Sequence, residues 1–315
     1  MSAVHARSSN LSFADVSFEI HDATTRCNLE YRKQMNMKTS SESIVVRDGV
    51  RIAASVSRAP ADLPRIVLLH SLAMDRAFWA PMFERLAAEA SVLAIDARGH
   101  GASDKPVGPY TAEQMAGDLK DVIDWLDWPD VVVAGASMGG CVALQFAGTH
   151  SDRTSALGLI DTTAWYGPEA KKNWSARAER AGTEGLAAMV DFQTTRWFSD
   201  AFRAARPEVV EACVQTFLRN DVQAFAATCE MLGRFDGRAL MENLRMPTAV
   251  IVGEEDYAAP LPMAQALHDG IDRSTLTVIP AARHLTPLET PDVIASELRE
   301  LLIAGAGIRE GRRGA

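Results

Sequence analysis

Short apolar runs recur along the chain from Ser43, and segments with helical periodicity separate most of them. Runs of this length without regular polar alternation are typical of strands buried on both faces, as in a parallel sheet covered by helices. The clearest helix begins after Thr111, where Thr111 and Gln114 predict a capping box and apolar residues follow at helical spacing. This alternation predicts an α/β domain. The predicted strands are residues 44–46, 66–69, 92–95, 131–134, 156–160, 249–252 and 276–279.

The alternation stops between about residues 165 and 242, where the sequence is helical in character and rich in aromatic residues. Residues 184–195 and 207–219 are examples of predicted helices. We therefore expect a helical cap at 165–242, inserted into an α/β core formed by 43–164 and 243–304. Most of the aromatic side chains should form the core of the cap, and some should face a pocket beneath it.

The two ends of the chain lack this patterning. Residues 1–42 are expected to be a poorly ordered N-terminal extension, and apolar alternation within residues 11–20 offers an edge strand as the alternative. Residues 305–315 are expected to be a short Gly/Arg tail.

Composition narrows the class of protein. With 47% hydrophobic and 23% charged residues, the 315-residue chain has the composition of a globular protein. Its net charge of −9 disfavours nucleic acid as a partner. The four cysteines form no CxxC pair, so neither a disulfide framework nor a metal site is predicted. No run approaches the roughly 20 apolar residues of a membrane span, and no signal peptide is evident. We expect an unexported, cytoplasmic protein.

The strongest chemical signal is the segment from Gly135 to Gly140, which contains Ser137 in a G-x-S-x-G pattern. It follows the predicted strand 131–134 directly and precedes a helical segment at 141–146, which is the strand–turn–helix context that a nucleophilic serine requires. Glycines suit this turn because side chains two residues from the serine would collide with the strand or the helix. Ser137 is the predicted nucleophile.

A serine of ordinary pKa needs a base, and His284 is the candidate. It follows the last predicted strand through a short turn, so it should lie at the carboxyl edge of the sheet, where Ser137 also emerges. The other histidines fall in the N-terminal extension, after helical patterns or in loops, where structural or surface roles are favoured; they are His5, His21, His70, His100, His150 and His268.

The acid that orients the histidine should lie at the end of a strand that comes, along the chain, between the strands of the serine and the histidine. The order is then Ser, acid, His. Asp256 fits this position, because the predicted strand 249–252 ends just before it. Glu254 and Glu255 compete in the same loop, and Asp161 is an alternative at the end of another predicted strand.

An oxyanion hole needs two backbone N–H donors. One should be the N–H of Met138, and the other should come from the loop after strand 66–69, where the N–H of Leu72 is the best candidate. His70 is expected to brace this loop.

In this order, the nucleophile turn, acid, histidine and oxyanion loop resemble the α/β-hydrolase superfamily over about residues 43–303. The segments that most resemble its 3-oxoadipate enol-lactonase branch are 96–103, 108–111, 137–140, 196–202 in the cap, which is the most specific, and 282–289. Members of that branch often have Asn-Ser-Leu-Gly where this chain has residues 70–73 (His-Ser-Leu-Ala), and Asn-Thr where it has Asp161 and Thr162.

The resemblance implies a mostly parallel sheet covered by helices with an inserted helical cap. It also implies a Ser-Asp-His triad, no cofactor, and a small enol-lactone substrate that carries a carboxylate and arises in bacterial aromatic catabolism. A cation under the cap should then bind the carboxylate, with Arg196, Arg203 and Arg206 as candidates. Trp165 and Trp197 are further candidates for substrate contact.

The leading hypothesis is a serine hydrolase that cleaves a small carboxylic ester or lactone through an acyl-enzyme on Ser137. A general carboxylesterase, a carbon–carbon bond hydrolase of vinylogous diketones and a cofactor-free perhydrolase use the same parts. A non-catalytic ligand-binding protein of the same fold is the alternative from another class. The sequence leaves the oligomeric state open.

Overall fold

Eight strands form one sheet in the computed structural model, which describes residues 39–313 of the chain. In chain order they are β1 Thr39–Val45, β2 Arg51–Ser57, β3 Arg65–Leu69, β4 Ser91–Ile95, β5 Val131–Ala136, β6 Thr154–Ile160, β7 Thr248–Gly253 and β8 Ser274–Ile279. Their order across the sheet is β1-β2-β4-β3-β5-β6-β7-β8. β2 is antiparallel to both β1 and β4, whereas all other neighbours are parallel. The prediction of a mostly parallel sheet is confirmed.

The central strands are buried on both faces, as predicted, but the two edge strands are not. β5 and β6 are buried at every position, whereas β1 and β8 have exposed positions along their length. An edge strand has one neighbour and is covered less completely, so the expectation of full burial was wrong for these two. The sequence also missed β2, a short strand rich in Ala and Ser that buries Ile52 and Val56.

Helices flank the sheet and fill the insertion between β6 and β7. They are α1 Ala80–Leu86, α2 Ala112–Trp125, α3 Met138–Thr149, α4 Ala170–Glu184, α5 Val190–Trp197, α6 Asp200–Ala205, α7 Pro207–Leu218, α8 Val222–Arg234, α9 Arg238–Met241, α10 Leu261–Gly270, α11 Thr286–Glu289 and α12 Pro291–Arg313. α3 and α12 both pack on β5 and β6. No helix within residues 39–313 is both long and apolar enough to cross a membrane.

Several predicted boundaries differ from the structure. The helix expected at 184–195 is confirmed only in part. Gly185 takes a φ of +79° and ends α4 at Glu184, and a short 3₁₀ helix at Leu186–Met189 then leads into α5. The capping box of α2 is half formed. The Thr111 hydroxyl accepts the Gln114 N–H at 3.0 Å, but the Gln114 side chain turns to Asp48 instead.

The chain ends also differ where they are described. β1 begins at Thr39, before the expected start of the core at 43, and α12 continues through residues expected to form the tail, as far as Arg313. The predictions for residues 1–38 lie outside the described residues. The parallel strands β3, β5, β6, β7 and β8 bring their carboxyl ends to one edge of the sheet, so the loops that follow them meet there.

Candidate active site

The turn between β5 and α3 holds Ser137 in a strained conformation, with φ 53° and ψ −115°. A Cβ atom at Gly135 would lie 2.1 Å from the carbonyl oxygen of Gly139, and one at Gly139 would lie 2.2 Å from that of Leu69. No side chain fits at such distances, which explains the two glycines of the motif. The serine is therefore presented at the N-terminus of α3, at the edge where the strands end.

His284 and Asp256 meet Ser137 in one chain of hydrogen bonds. The Nε2 atom of His284 lies 2.9 Å from the Ser137 Oγ, and its Nδ1 lies 2.8 Å from the Asp256 Oδ2. The carboxylate can only accept at Nδ1, so Nδ1 carries the hydrogen and Nε2 accepts from the serine hydroxyl. All three side chains are buried. The structure thus brings together the three residues that the sequence predicts as a triad.

The Asp256 carboxylate is held in its ionised form. Burial alone would raise the pKa of Asp256, but the interaction with His284 and two backbone hydrogen bonds outweigh burial and lower that pKa below its ordinary value. The backbone donors are the N–H groups of Ala258 and Ala259, at 2.7 and 2.9 Å from Oδ1. An ionised carboxylate at this place fixes the tautomer of the imidazole and stabilises its protonated form.

The competing acids have other partners. Glu254 accepts from the N–H of Ala281 at 3.0 Å, and Glu255 faces Arg283 at 3.4 Å. Asp161 is fully buried at the end of β6 and accepts three hydrogen bonds, from the N–H of Gly253 and from the N–H and hydroxyl of Thr286. Burial and the nearby charge of Asp256 raise the pKa of Asp161 well above its usual range. Asp161 therefore links the loops that carry Asp256 and His284.

Leu72 and Met138 are the predicted oxyanion donors. Leu72 borders the same cavity as Ser137, and Met138 is the first residue of α3, where backbone N–H groups lack partners within the helix. The loop of Leu72 is braced by His70 as predicted. The Nδ1 atom of His70 is 2.8 Å from the Ser71 carbonyl oxygen, and the Nε2 atom of His70 accepts the N–H of Ala97 at 3.0 Å.

A cavity of about 50 Å³ opens above Ser137, between the core and the helices that follow β6. Its lower wall comes from the core, and its upper wall comes from a short loop and from α4 and α5 of the insertion. The core residues are Ser71, Leu72, Ser137, Ala258 and His284, and the upper ones are Tyr166, Trp174, Arg177, Gln193, Arg196 and Trp197. Its place beside the Ser137 hydroxyl, at the junction of the core and the inserted helices, is where a substrate is expected.

Arg177 is the cation in this cavity that the sequence reasoning missed. Its Nε is inaccessible to water and has no hydrogen-bond partner, and no carboxylate among the described residues contributes to its pKa. Its Nη2 donates to the buried Gln193 at 2.7 Å, and its guanidinium lies 5.0 Å from the centre of the Trp174 ring. Burial lowers the pKa of Arg177, as expected for a cation without a counter-charge. Its position on the apolar face of α4, with Trp174 and Ala178, is a signal that the sequence contains.

The predicted substrate contacts divide into two groups. Arg196 and Trp197 border the cavity, and Arg196 also donates to the carbonyl oxygen of Tyr257 at 2.6 Å. Trp165 is not among the residues that border the cavity; its ring is covered by Arg238 at 4.0 Å, while Tyr166 takes the place beside the cavity.

Arg203 and Arg206, the other predicted carboxylate partners, also lie away from the cavity. They form ion pairs with Asp200 and Glu208, neighbours on their own segment of the insertion. Within the part of the chain that the structure describes, no group of three His, Cys, Asp or Glu side chains is arranged to hold a metal ion.

Comparison with known proteins places this site in a class. The profile of the alpha/beta hydrolase family matches residues 66–297. The chain is 32% identical to 3-oxoadipate enol-lactonase 2 of Acinetobacter baylyi over 231 residues, which covers 73% of this chain and 85% of that protein. The chain belongs to the alpha/beta hydrolase family. Within the family it lies in an enol-lactonase-like branch, and it is an enzyme of the carboxylic ester hydrolase type, as the sequence predicts.

Solved structures agree with this placement. The enol-lactonase from Burkholderia xenovorans LB400 has a TM-score of 0.79 at 30% identity, covering 83% of this chain and all of that one (100%). A thermophilic esterase from Thermogutta terrifontis, solved with malate bound, has a TM-score of 0.79 at 31% identity and covers 85% of this chain and 99% of that one. The predicted α/β-hydrolase fold is confirmed.

Proposed function

We propose that this chain is a serine hydrolase that opens a small enol-lactone bearing a carboxylate, such as 3-oxoadipate enol-lactone in the catabolism of aromatic compounds. The observation that carries the proposal is the continuous hydrogen-bond chain from Asp256 through His284 to Ser137, which ends in the cavity. A nucleophile, a base and an orienting acid in hydrogen-bond contact are the parts that acyl transfer requires.

In the first half of the reaction, His284 takes the proton of Ser137 at Nε2 as the Oγ attacks the substrate carbonyl carbon. Asp256 holds Nδ1–H and stabilises the positive imidazolium that results. The N–H groups of Leu72 and Met138 bind the oxyanion of the tetrahedral intermediate, and each such donor is typically worth roughly 10²- to 10³-fold in rate. His284 then gives its proton to the oxygen that leaves the carbonyl carbon.

In a lactone, the leaving oxygen remains attached to the acyl chain, so no fragment departs at this stage. Water, deprotonated by the same His284, then attacks the ester of Ser137, and the oxyanion donors act a second time. Collapse of this intermediate breaks the bond to Oγ, returns the proton to the serine and releases the ring-opened acid.

The cavity supports a carboxylate-bearing substrate. Arg177 has one of its five N–H donors on Gln193, and its Nε–H has no partner among the described residues, so a carboxylate can complete its hydrogen bonding. The ring of Trp174 beside it holds the guanidinium in place. Two similar proteins fit this reading, since one is an enol-lactonase and another was solved with malate, a dicarboxylate.

The nucleophile is tested by Ser137→Ala, with Ser71→Ala as the matched control, because Ser71 is another serine that borders the cavity. We expect Ser137→Ala to lower kcat by roughly 10⁴-fold or more and to abolish labelling by a serine-directed fluorophosphonate. The Ser71→Ala variant should still be labelled. Undiminished turnover or labelling in Ser137→Ala would contradict the proposal.

A general carboxylesterase is the second candidate, favoured by the similar esterase of Thermogutta terrifontis. Rates on a carboxylate-bearing enol-lactone and on neutral short-chain esters separate the two. A preference of at least roughly tenfold for the lactone in kcat/KM supports the first proposal, since one charge-assisted hydrogen bond is worth that much. Equal rates would favour the general esterase.

A further inference from the structure

Both chain neighbours of His284 bind the end of α5. The N–H of Leu285 donates to the carbonyl oxygen of Trp197 at 3.0 Å, and the Arg283 Nη1 donates to those of Thr195 and Phe198 at 2.8 and 3.0 Å. α5 ends at Trp197, so these carbonyl groups have no partner within the helix. A cation at this position also complements the negative end of the helix dipole.

The Arg283 guanidinium has further partners in two loops. Its Nη1 lies 3.0 Å from Asp200 of α6, and its Nε lies 3.4 Å from Glu255, the residue before Asp256. The ring of Tyr257 covers the guanidinium at 5.3 Å, and only 12% of the side chain is exposed. Arg283 therefore joins α5, α6 and the loop of Asp256 at one point.

Glu289 ties the same two segments together. One of its carboxylate oxygens accepts the backbone N–H of Arg283 at 2.9 Å, and the other accepts that of Ser199 at 3.0 Å. Residues 283–285, which carry His284, are thus bonded to residues 195–199 through backbone and side-chain contacts.

The bonded helix is also a wall of the cavity. Gln193, Arg196 and Trp197 all border the cavity from α5. Any displacement of α5 therefore moves the acceptors that hold Arg283 and Leu285, on either side of the imidazole. Such coupling matters for rate because a misplacement of about 1 Å in a catalytic group can cost roughly 10²-fold.

We propose that Arg283 is a positioning residue. It binds the end of α5, which forms a wall of the cavity, to the loop of His284, and this contact sets the orientation of the imidazole relative to that wall. This inference rests on the proposed function. Arg283 acts here through one nitrogen, Nη1, which donates to both carbonyl groups at the end of α5.

The test compares Arg283→Gln and Arg283→Lys with the wild-type protein. Gln is too short to reach both carbonyl groups and lacks the charge. Lys keeps the charge and N–H donors on one nitrogen, but it lacks the Nε group that faces Glu255. For Gln we expect kcat and the rate of fluorophosphonate labelling to fall together, by roughly tenfold or more, with KM within about threefold of wild type. Lys should recover part of both rates.

Two control variants separate positioning from loss of charge. Arg203→Gln removes the other guanidinium bound to Asp200 and leaves the Arg283 contacts in place. Asp200→Asn removes an ion pair of Arg283 but keeps both carbonyl acceptors. Both variants should retain kcat and the labelling rate.

The outcomes distinguish the two proposals. If the wild-type protein is not labelled at all, the proposed function fails. Positioning is then still measured by the NMR resonance of the Nδ1–H that His284 donates to Asp256. This resonance should broaden in Arg283→Gln but not in Arg203→Gln. If the wild-type protein is labelled and a folded Arg283→Gln variant keeps wild-type kcat and labelling, the inference is overturned. Should that variant not fold, wild-type kcat and labelling in a folded Arg283→Met variant, which lacks all N–H donors of the guanidinium, overturn the inference equally.

Discussion

Replacing Arg177 by Met should separate recognition of the substrate carboxylate from the chemistry at Ser137. Met keeps an unbranched apolar chain, so the change removes the charge and the donors while contact with Trp174 can persist. Ser137, His284 and Asp256 do not hydrogen-bond to Arg177, so their hydrogen-bond chain should persist. The loss should therefore fall on binding.

The size of the effect follows from the contacts. A hydrogen bond to a charged group contributes about 1.5–3 kcal/mol, and Arg177 has its Nε–H and further N–H groups available for a carboxylate. Since 1.4 kcal/mol corresponds to a factor of ten, kcat/KM for a carboxylate-bearing substrate should fall by roughly 10- to 100-fold, mainly through KM.

The assay uses two para-nitrophenyl esters of the same chain length, one ending in a carboxylate and one ending in a methyl group. Arg177→Met should lower kcat/KM for the first and leave the second nearly unchanged. Arg238→Met is the matched control, because Arg238 also stacks on a tryptophan, Trp165, outside the cavity. It should affect neither ester.

The stability of the Arg177→Met variant gives an independent check. A partly buried cation without a carboxylate partner costs desolvation free energy that a Met side chain does not. The substitution also removes the donor to the buried Gln193, which costs about 1–3 kcal/mol and offsets this gain, so the free energy of unfolding should change little. A Tm close to that of the wild type would show that the loss on the carboxylate ester does not come from misfolding. Equal losses on the two esters would refute the assignment of Arg177 as a carboxylate-binding residue.

Three further predictions concern the fold and the loops behind the site. Burial lowers the pKa of His100 to about 3, so below pH 6.5 the unfolded chain takes up a proton that the native chain does not. As the pH falls below 6.5, the free energy of unfolding should therefore fall by up to about 1.4 kcal/mol per pH unit. Urea titrations should show a smaller fall in the His100→Gln variant. Gly139→Ala should abolish soluble, active protein because its Cβ would meet the Leu69 carbonyl oxygen. Gly182→Ala is the control, because Gly182 lies at an open position of α4. In a thermal melt it should raise the free energy of unfolding by about 0.5–1 kcal/mol. Asp161→Ala should lower kcat with little change in KM, because it removes the oxygens that accept from Gly253 and Thr286. An unchanged kcat in steady-state kinetics would contradict the linking role of Asp161.

The sequence by itself determined the parts of the protein that depend on local chemistry. The nucleophile turn was evident because the steric demand for glycine at 135 and 139 acts over a few residues. The central strands were evident because burial on both faces leaves an uninterrupted apolar run. Ser137, Asp256 and His284 could be assigned to their roles because each lies in a loop that follows a predicted strand.

Only the tertiary structure decided which residues of the insertion face the cavity. Periodicity indicates which side of α4 is buried, but not whether that side meets a neighbouring helix or a substrate. Arg177 was therefore missed as a cation in the cavity, whereas Arg203 and Arg206, and Trp165 as a further substrate contact, were expected there and lie elsewhere. The same holds for Arg283, whose partners at 195, 198 and 200 are more than 80 residues away in the chain. Contacts of this kind form when the inserted helices pack on the core, and the free energy of that packing depends on the shapes of both surfaces. The pattern of residues along one segment describes only one of these surfaces, so it does not predict the contacts.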